Sequence, residues 1–154
     1  YLGIDALAST VDYALSNGKG LFILAATSNP EAHESQSAVI NTGEFSGKTV
    51  AAANLERISQ WSLQRNPLLS IGAVLGATLD LESLGISLSQ SSPIPVLAPG
   101  FGFQGARIED ATETFGPLSK YLIVSETRSV LSGGFANSQE LIKRRVQEVG
   151  HALV

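Results

Sequence analysis

A glycine-rich segment at residues 99–105 has the composition of a phosphate-binding turn. It reads Pro-Gly-Phe-Gly-Phe-Gln-Gly and directly follows the apolar run 96–98, which predicts a buried strand. Glycine lets a backbone approach a ligand closely, and such a turn can direct consecutive N–H groups at a phosphate. Gly102 and Gln104 are the candidate ligand contacts here, since a long amide can bridge two polar parts of one ligand. Pro99 fixes the backbone and offers an apolar wall to a flat ring.

Polar residues also follow the other predicted strands. Arg128 lies just beyond the apolar run 121–124 and can form paired hydrogen bonds with phosphate oxygens. The alternative is a solvated surface arginine, but a positive charge at a helix start is unfavourable without an anion. Ser28 can hydrogen-bond the edge of a planar ligand, although the pattern alone favours an ordinary turn serine. Thr78 is interpreted as the N-cap of a short helix.

No constellation in the sequence has the spacing of a catalytic or metal centre. Only two histidines are present, and Cys is absent. His151 is interpreted as a cation near a helix end, and His33 as a polar loop residue with little weight as a ligand. No spacing of His, Asp and Glu suits a metal, and no nucleophile lies beside a base. The residue spacing therefore predicts no metal site, and nothing in it forms a complete catalytic apparatus.

Four apolar runs without polar alternation predict strands covered on both faces, at residues 21–26, 71–75, 96–98 and 121–124. Helical spacing of apolar residues separates them. The helices are expected on Ile4–Leu15, Ala51–Trp61, a short segment at 80–88 with Leu81 and Leu84 inward, and a terminal segment that buries Ile142, Val146, Val149 and Leu153. The polar stretch 31–47 is expected to be a loop or short helical turn, of a length typical of a lid. Repeated βα units predict an α/β fold with parallel strands.

Four such strands cannot close a barrel and would leave apolar edges exposed. The chain also begins Tyr1-Leu2-Gly3, without Met. We therefore expect the second half of a (β/α)8 TIM barrel, with residues 1–154 as the C-terminal half of a single barrel domain and its N-terminal half missing from this chain. In such barrels the last two βα loops often hold a phosphate, and here they are the segments 99–105 and 125–128.

Composition narrows the class of partner. The 154 residues carry a formal net charge of -4 and no basic stripe, which disfavours nucleic-acid binding. Hydrophobic residues make up 44%, enough for a sizeable core, yet no apolar stretch approaches the length of a membrane span. The absence of Cys fits a cytoplasmic protein. A small anionic ligand remains compatible with this charge.

Several of these motifs together resemble orotidine 5'-phosphate decarboxylase, in its C-terminal half and most closely in its bacterial type 2 branch. The motifs are Tyr1–Gly3 with Asp5–Leu7, Gly20–Glu31, Gly72–Thr78, Pro95–Gly105, and Val124-Ser125 with Arg128-Ser129, and the resemblance covers nearly the whole chain. It implies a carboxy-lyase of pyrimidine biosynthesis that converts orotidine 5'-phosphate (OMP) to UMP and CO2 without a metal or cofactor. It also implies a homodimer.

The resemblance implies a role for each candidate residue. Ser28 would hydrogen-bond the pyrimidine edge, and Pro99 would flank the ring. Gln104 would reach from the phosphate towards the pyrimidine. Backbone amides near Thr127 and the side chain of Arg128 would hold the phosphate, so that binding energy remote from the reacting carbon lowers the barrier there.

Two departures from the family pattern stand out. The catalytic Asp-x-Lys-x-x-Asp pattern is absent from these residues, which implies that the proton-donating lysine lies in the missing half. The usual Val-Ser-Arg run is interrupted by Glu126 and Thr127, which brings an acid near the expected phosphate. We expect Glu126 to point to solvent or to pair with a base.

Two other functions fit the same pattern. One is a metal-dependent barrel enzyme acting on sugar phosphates, with the same phosphate grip. The other is a non-catalytic half-barrel that binds a phosphate ligand and dimerises with itself to complete eight strands.

Overall fold

Four parallel strands form one sheet in a computed structural model that describes residues 3–65, 69–89 and 92–153. Their order in the sheet is their order in the chain. The strands are β1 (Leu21–Ala26), β2 (Ile71–Leu75), β3 (Val96–Pro99) and β4 (Leu122–Ser125). All four predicted strands are confirmed, with β3 one residue longer and β4 shifted by one residue.

Helices lie before β1, between β1 and β2, between β3 and β4, and after β4, whereas the described residues between β2 and β3 form turns. They are α1 (Ala8–Ser16), α2 (His33–Ser37), α3 (Val50–Arg65), α4 (Ala111–Phe115), α5 (Arg128–Leu131) and α6 (Phe135–Leu153). A 3-10 turn at Ile4–Leu7 extends α1 at its start. The predictions of α1, α3 and α6 are confirmed. The stretch 31–47, predicted to be a loop or a short helical turn, contains the short helix α2.

The short helix predicted at 80–88 is wrong. The segment forms turns, in which the Ser83 amide donates to the Asp80 carboxylate at 3.1 Å and Gly85 has a φ of +65°. A local side-chain acceptor and a left-handed glycine both compete with helix formation. Leu81 and Leu84 are nevertheless buried, as expected. Because there is no helix here, the interpretation of Thr78 as its N-cap is also wrong.

The core lies between the helices and one face of the sheet. Ile23, Ile71 and Val96 of the sheet pack there with Ile58 and Trp61 of α3, and all five are buried. Burying apolar surface is the main favourable term in folding, so this layer holds the helices on the sheet.

The buried face predicted for α6 is only half right. Val149 and Leu153 pack against the core, but the side chains of Ile142 and Val146 are 48% and 66% exposed. The predicted helix is therefore correct, but no described residue of this chain covers the part of its apolar face that carries Ile142 and Val146.

The opposite face of the sheet is apolar and open. It consists of Phe22, Leu24, Val74, Leu97 and Ile123, which we call the open face. Leu24 pairs in register with Val74, Val74 with Leu97, and Leu97 with Ile123, so that the row crosses all four strands. Phe22, Leu24 and Ile123 are 42%, 52% and 46% exposed. In a closed barrel this face would point inward and be covered by side chains of the remaining strands.

Candidate functional site

The carboxyl ends of three strands, β1, β3 and β4, bring all six predicted site residues to one edge of the sheet. Ser28 follows β1, and Pro99 is the last residue of β3. Gly102 and Gln104 lie in the turn after β3, and Thr127 and Arg128 follow β4. Parallel strands end at a common edge, so the order of strands alone accounts for this grouping.

The end of β1 is fixed by a residue that sequence reasoning missed. The side chain of Gln36, in α2, is buried, with 8% exposure. Its Oε1 accepts a hydrogen bond from the Thr27 amide at 2.6 Å, and its Nε2 donates to the Thr27 carbonyl at 2.9 Å. The Gln36 side chain thus provides hydrogen-bond partners for both the N–H and the carbonyl of Thr27. Ser28, the next residue, is exposed.

A cavity of about 490 Å3 lies between the ends of β1 and β2. Its lining includes Ser28, His33, Gln36, Thr78 and Asp80. Thr78 therefore borders the same space as the predicted ring contact, a position that its interpretation as a cap did not anticipate.

The glycine-rich turn after β3 is held by bonds within the chain. Gly102 has a φ of +69° and opens a 3-10 turn that ends at Gln104. The Gly102 amide donates to the Ala106 carbonyl at 2.9 Å, and the Phe103 amide donates to Oγ of Ser129 at 2.8 Å. The expected row of free amides is therefore not present at these two positions, and the exposed side chain of Gln104 remains as a candidate contact.

Arg128 joins the two segments predicted to hold a phosphate. Its guanidinium carbon lies 4.4 Å from the ring centroid of Phe103, a cation–π geometry. Both residues are exposed, and Phe103 is 66% exposed. The ring thus holds the arginine across the gap between the turn after β3 and the loop after β4. Phe103 was not among the predicted site residues. The sequence could have indicated it, because it is an aromatic residue in the turn predicted to lie beside the loop of Arg128.

Glu126 pairs with a base, the second of the two expected alternatives. Its side chain is 7% exposed, and its carboxylate accepts hydrogen bonds from Nε and Nη2 of Arg145 at 2.7 and 2.8 Å. Arg145 also pairs with Glu148. Hydrogen bonds to Glu148 and then Glu126 raise the pKa of Arg145 above its ordinary value, against the opposing effect of burial.

Within residues 3–65, 69–89 and 92–153, no group of three or more His, Asp or Glu side chains is arranged to hold a metal ion. The same residues include no helix with the length and apolar character needed to cross a bilayer.

An open sheet of four parallel strands, with helices on one face and polar loops at its carboxyl edge, defines the chain as half of a (β/α)8 barrel. Solved structures agree. A Streptomyces avermitilis protein assigned as an orotidine 5'-phosphate decarboxylase superposes with a TM-score of 0.84 and 37% identity, over 99% of this chain and 52% of that chain. Leishmania donovani UMP synthase, at 22% identity, shares the fold with a TM-score of 0.71, over 97% of this chain and 31% of that chain.

Curated relatives are also named orotidine 5'-phosphate decarboxylase. The chain is 41% identical over 135 residues to the orotidine 5'-phosphate decarboxylase of Streptomyces coelicolor, and 40% identical over 134 residues to that of Salinispora arenicola. Each alignment covers 87% of this chain and 46% of the relative. The chain thus spans about half the length of the curated relatives it matches. No family model matches it.

Proposed function

We propose that this chain is the C-terminal half of an orotidine 5'-phosphate decarboxylase of the bacterial type 2 branch. It would act in the cytoplasm on OMP and release UMP and CO2, without a cofactor. The observation that carries the proposal is the grouping of Ser28, Gln104 and Arg128 at one sheet edge in a chain 41% identical to a decarboxylase of that name.

The proposed contacts divide between the two ends of the nucleotide. Ser28 and Pro99 would contact the pyrimidine, and Thr127 and Arg128 would bind the phosphate. Gln104, with Gly102 beside it, would lie between the pyrimidine and the phosphate. The stacking of Arg128 on Phe103 supports the phosphate role, because it holds the guanidinium in the open while leaving its N–H groups free of the ring. A preorganised arginine loses less side-chain entropy on binding than a mobile one.

Chemistry at the reacting carbon would belong to the other half of the barrel. The Asp-x-Lys-x-x-Asp pattern is absent from this sequence, so the lysine that donates the proton would come from there. This half would supply binding energy from the phosphate, which is used to orient and enclose the base and so lowers the barrier at a distance.

The open face supports the need for a complementary half. Its exposed row of Phe22, Leu24 and Ile123 would become the barrel interior once the remaining strands pair with the free edges of β1 and β4. The complete enzyme would form a homodimer, as the resemblance implies.

The test is to combine this chain with the remaining part of the Streptomyces coelicolor relative, purify the assembled barrel and measure UMP formation. We expect activity that survives EDTA and depends on both parts. A folded assembly that forms no UMP would refute the proposal. Activity abolished by EDTA would instead favour the metal-dependent sugar-phosphate enzyme, and a symmetric dimer of this chain that binds UMP without turnover would favour the non-catalytic half-barrel.

Arg128→Gln in the same assembly tests the phosphate contact. Hydrogen bonds to charged groups contribute about 1.5–3 kcal/mol each, so the KM for OMP should rise roughly 10- to 150-fold. Arg107→Gln is the matched control, since Arg107 is an exposed arginine that pairs with Glu109 and Asp110. Equal effects of the two substitutions would contradict the role of Arg128.

A further inference from the structure

A partly buried ion pair lies directly against the glycine-rich turn, with the side chain of Glu126 7% exposed and that of Arg145 32% exposed. The Glu126 carboxylate, paired with Arg145 of α6, occupies the space beside the α-carbon of Gly102. A Cβ at Gly102 would overlap Oε1 of Glu126 and Oγ of Ser129. Gly102 is thus required for two reasons, its left-handed φ of +69° and the close approach of these two side chains.

Ser129 links the same turn to α5. Its hydroxyl oxygen accepts the hydrogen bond from the Phe103 amide at 2.8 Å. Glu126, Ser129 and Arg145 therefore form one cluster, which we call the turn support. It connects the loop after β4, the turn after β3 and α6, and so it fixes the position of Phe103, on which Arg128 stacks.

Glu126 and three charged residues of α6 form a neutral set of ion pairs. Arg145 faces both Glu126 and Glu148, and Arg144 also pairs with Glu148, so that the four charges sum to zero. Without Arg145, the carboxylate of Glu126 would stand uncompensated against Gly102 and beside Thr127, in the loop where a phosphate is proposed to bind. A like charge held in a partly dehydrated site repels an anion much more strongly than it would in water.

We infer that Glu126, Ser129 and Arg145 are positioning residues for the phosphate-binding loops. Glu126 and Ser129 would set the turn after β3 against the loop after β4, and Arg145 would neutralise the carboxylate so that this support does not repel the ligand. The inference rests on the proposed function, because it assumes that the ligand carries a phosphate at this edge.

A double-mutant cycle in the assembled barrel tests the charge role, with UMP and uridine as probes. For Arg145→Gln we expect the Kd for UMP to rise at least about tenfold, because one uncompensated charge even ~12 Å from an anion contributes about 1.4 kcal/mol at an effective dielectric constant of about 20. The Kd for uridine, which lacks the phosphate, should change less than about twofold, on the same Coulomb argument. The variant that combines Glu126→Gln with Arg145→Gln should recover most of the UMP affinity, because no uncompensated charge remains on the pair.

Arg144→Gln is the matched control. It removes the same charge from the same helix, but among the described residues Arg144 pairs with Glu148 and not with Glu126, so UMP affinity should stay unchanged. Equal loss of UMP and uridine binding in Arg145→Gln, no recovery in the double variant, or an equal effect of Arg144→Gln would each overturn the charge role.

Ser129→Ala supplies a test that does not require Arg145→Gln to fold. Loss of one ordinary hydrogen bond predicts a rise in the Kd for UMP of roughly 2- to 12-fold and faster hydrogen exchange of the Phe103 amide. Unchanged exchange at Phe103 would overturn the positioning role of Ser129. A wild-type assembly that does not bind UMP would overturn the proposed function and this inference with it, whereas wild-type binding without any of these effects would overturn the inference alone.

Discussion

Replacing Gln36 by Leu should loosen the end of β1 without changing the sheet. In the wild type, the Gln36 amide satisfies both the N–H and the carbonyl of Thr27. Leucine has a similar volume but offers neither a donor nor an acceptor. The substitution therefore leaves two backbone groups of a half-buried residue without their partner, next to the predicted ring contact Ser28.

The expected cost follows from the burial of these groups. A fully buried backbone group that loses its partner costs about 1–3 kcal/mol, and Thr27 is only half-buried, so we expect about 2 kcal/mol for the pair. For a chain of this length that corresponds to a fall in Tm of roughly 4–8 °C. The same free energy would speed hydrogen exchange of the Thr27 amide about 30-fold if local opening limits it.

Hydrogen exchange followed by NMR resolves the effect at the residue itself. Ser35→Ala is the matched control, because the exposed hydroxyl of Ser35 in α2 donates to the Ala32 carbonyl and to no other group of the described residues. We expect Thr27 to exchange faster in Gln36→Leu and at the wild-type rate in Ser35→Ala. Unchanged protection of Thr27 in Gln36→Leu would refute the reasoning, even if the overall stability fell.

Two further predictions concern stability. Gly72→Ala should lower the urea midpoint by an amount equivalent to about 1–3 kcal/mol, because the added Cβ would lie 2.6 Å from the Pro95 carbonyl oxygen. Gly150→Ala is the control: its Cβ would meet open space in α6, and it should raise the midpoint by about 0.5–1 kcal/mol. An unchanged urea midpoint in Gly72→Ala would contradict the packing. Hydrogen bonds from Arg145 and then Arg144 lower the pKa of Glu148 from its ordinary 4.5, so its stabilising effect is present above that pH and is lost as pH falls through the lowered value. Thermal melts should therefore show a steeper acid loss in the wild type than in Glu148→Gln, and parallel curves would contradict this linkage.

The strands were predictable because their apolar runs lack polar alternation. That pattern indicates burial on both faces, yet Leu24 and Ile123 are half exposed in this chain. The runs thus describe a sheet that needs a second covering layer, which agrees with the incomplete barrel inferred from the number of strands and their apolar edges. The same logic applies to Ile142 and Val146 of α6, whose predicted burial fails for lack of a neighbour among the described residues.

The helix predicted at 80–88 failed for a local reason. The spacing of Leu81 and Leu84 suits one helical turn, but it suits a chain reversal equally well when Asp80 and Gly85 favour a turn. Short segments leave too few residues for periodicity to separate the two.

The site could be predicted only where it follows strand ends in the chain. Ser28, Pro99 and Arg128 were found in this way, and their roles stay predictions. Gln36 and the pair of Glu126 with Arg145 depend on contacts between residues 9 and 19 positions apart, on elements whose relative placement no single-sequence pattern fixes.

The open sheet has two free edges, β1 and β4, separated by two interior strands. Any complement that completes the barrel must therefore attach at two seams. Pairing at one seam makes closure of the other an intramolecular event, with an effective concentration on the order of millimolar when the geometry matches. Two individually weak strand pairings would then act as one bivalent attachment, and damage to either edge would reduce assembly far more than the loss of its own hydrogen bonds.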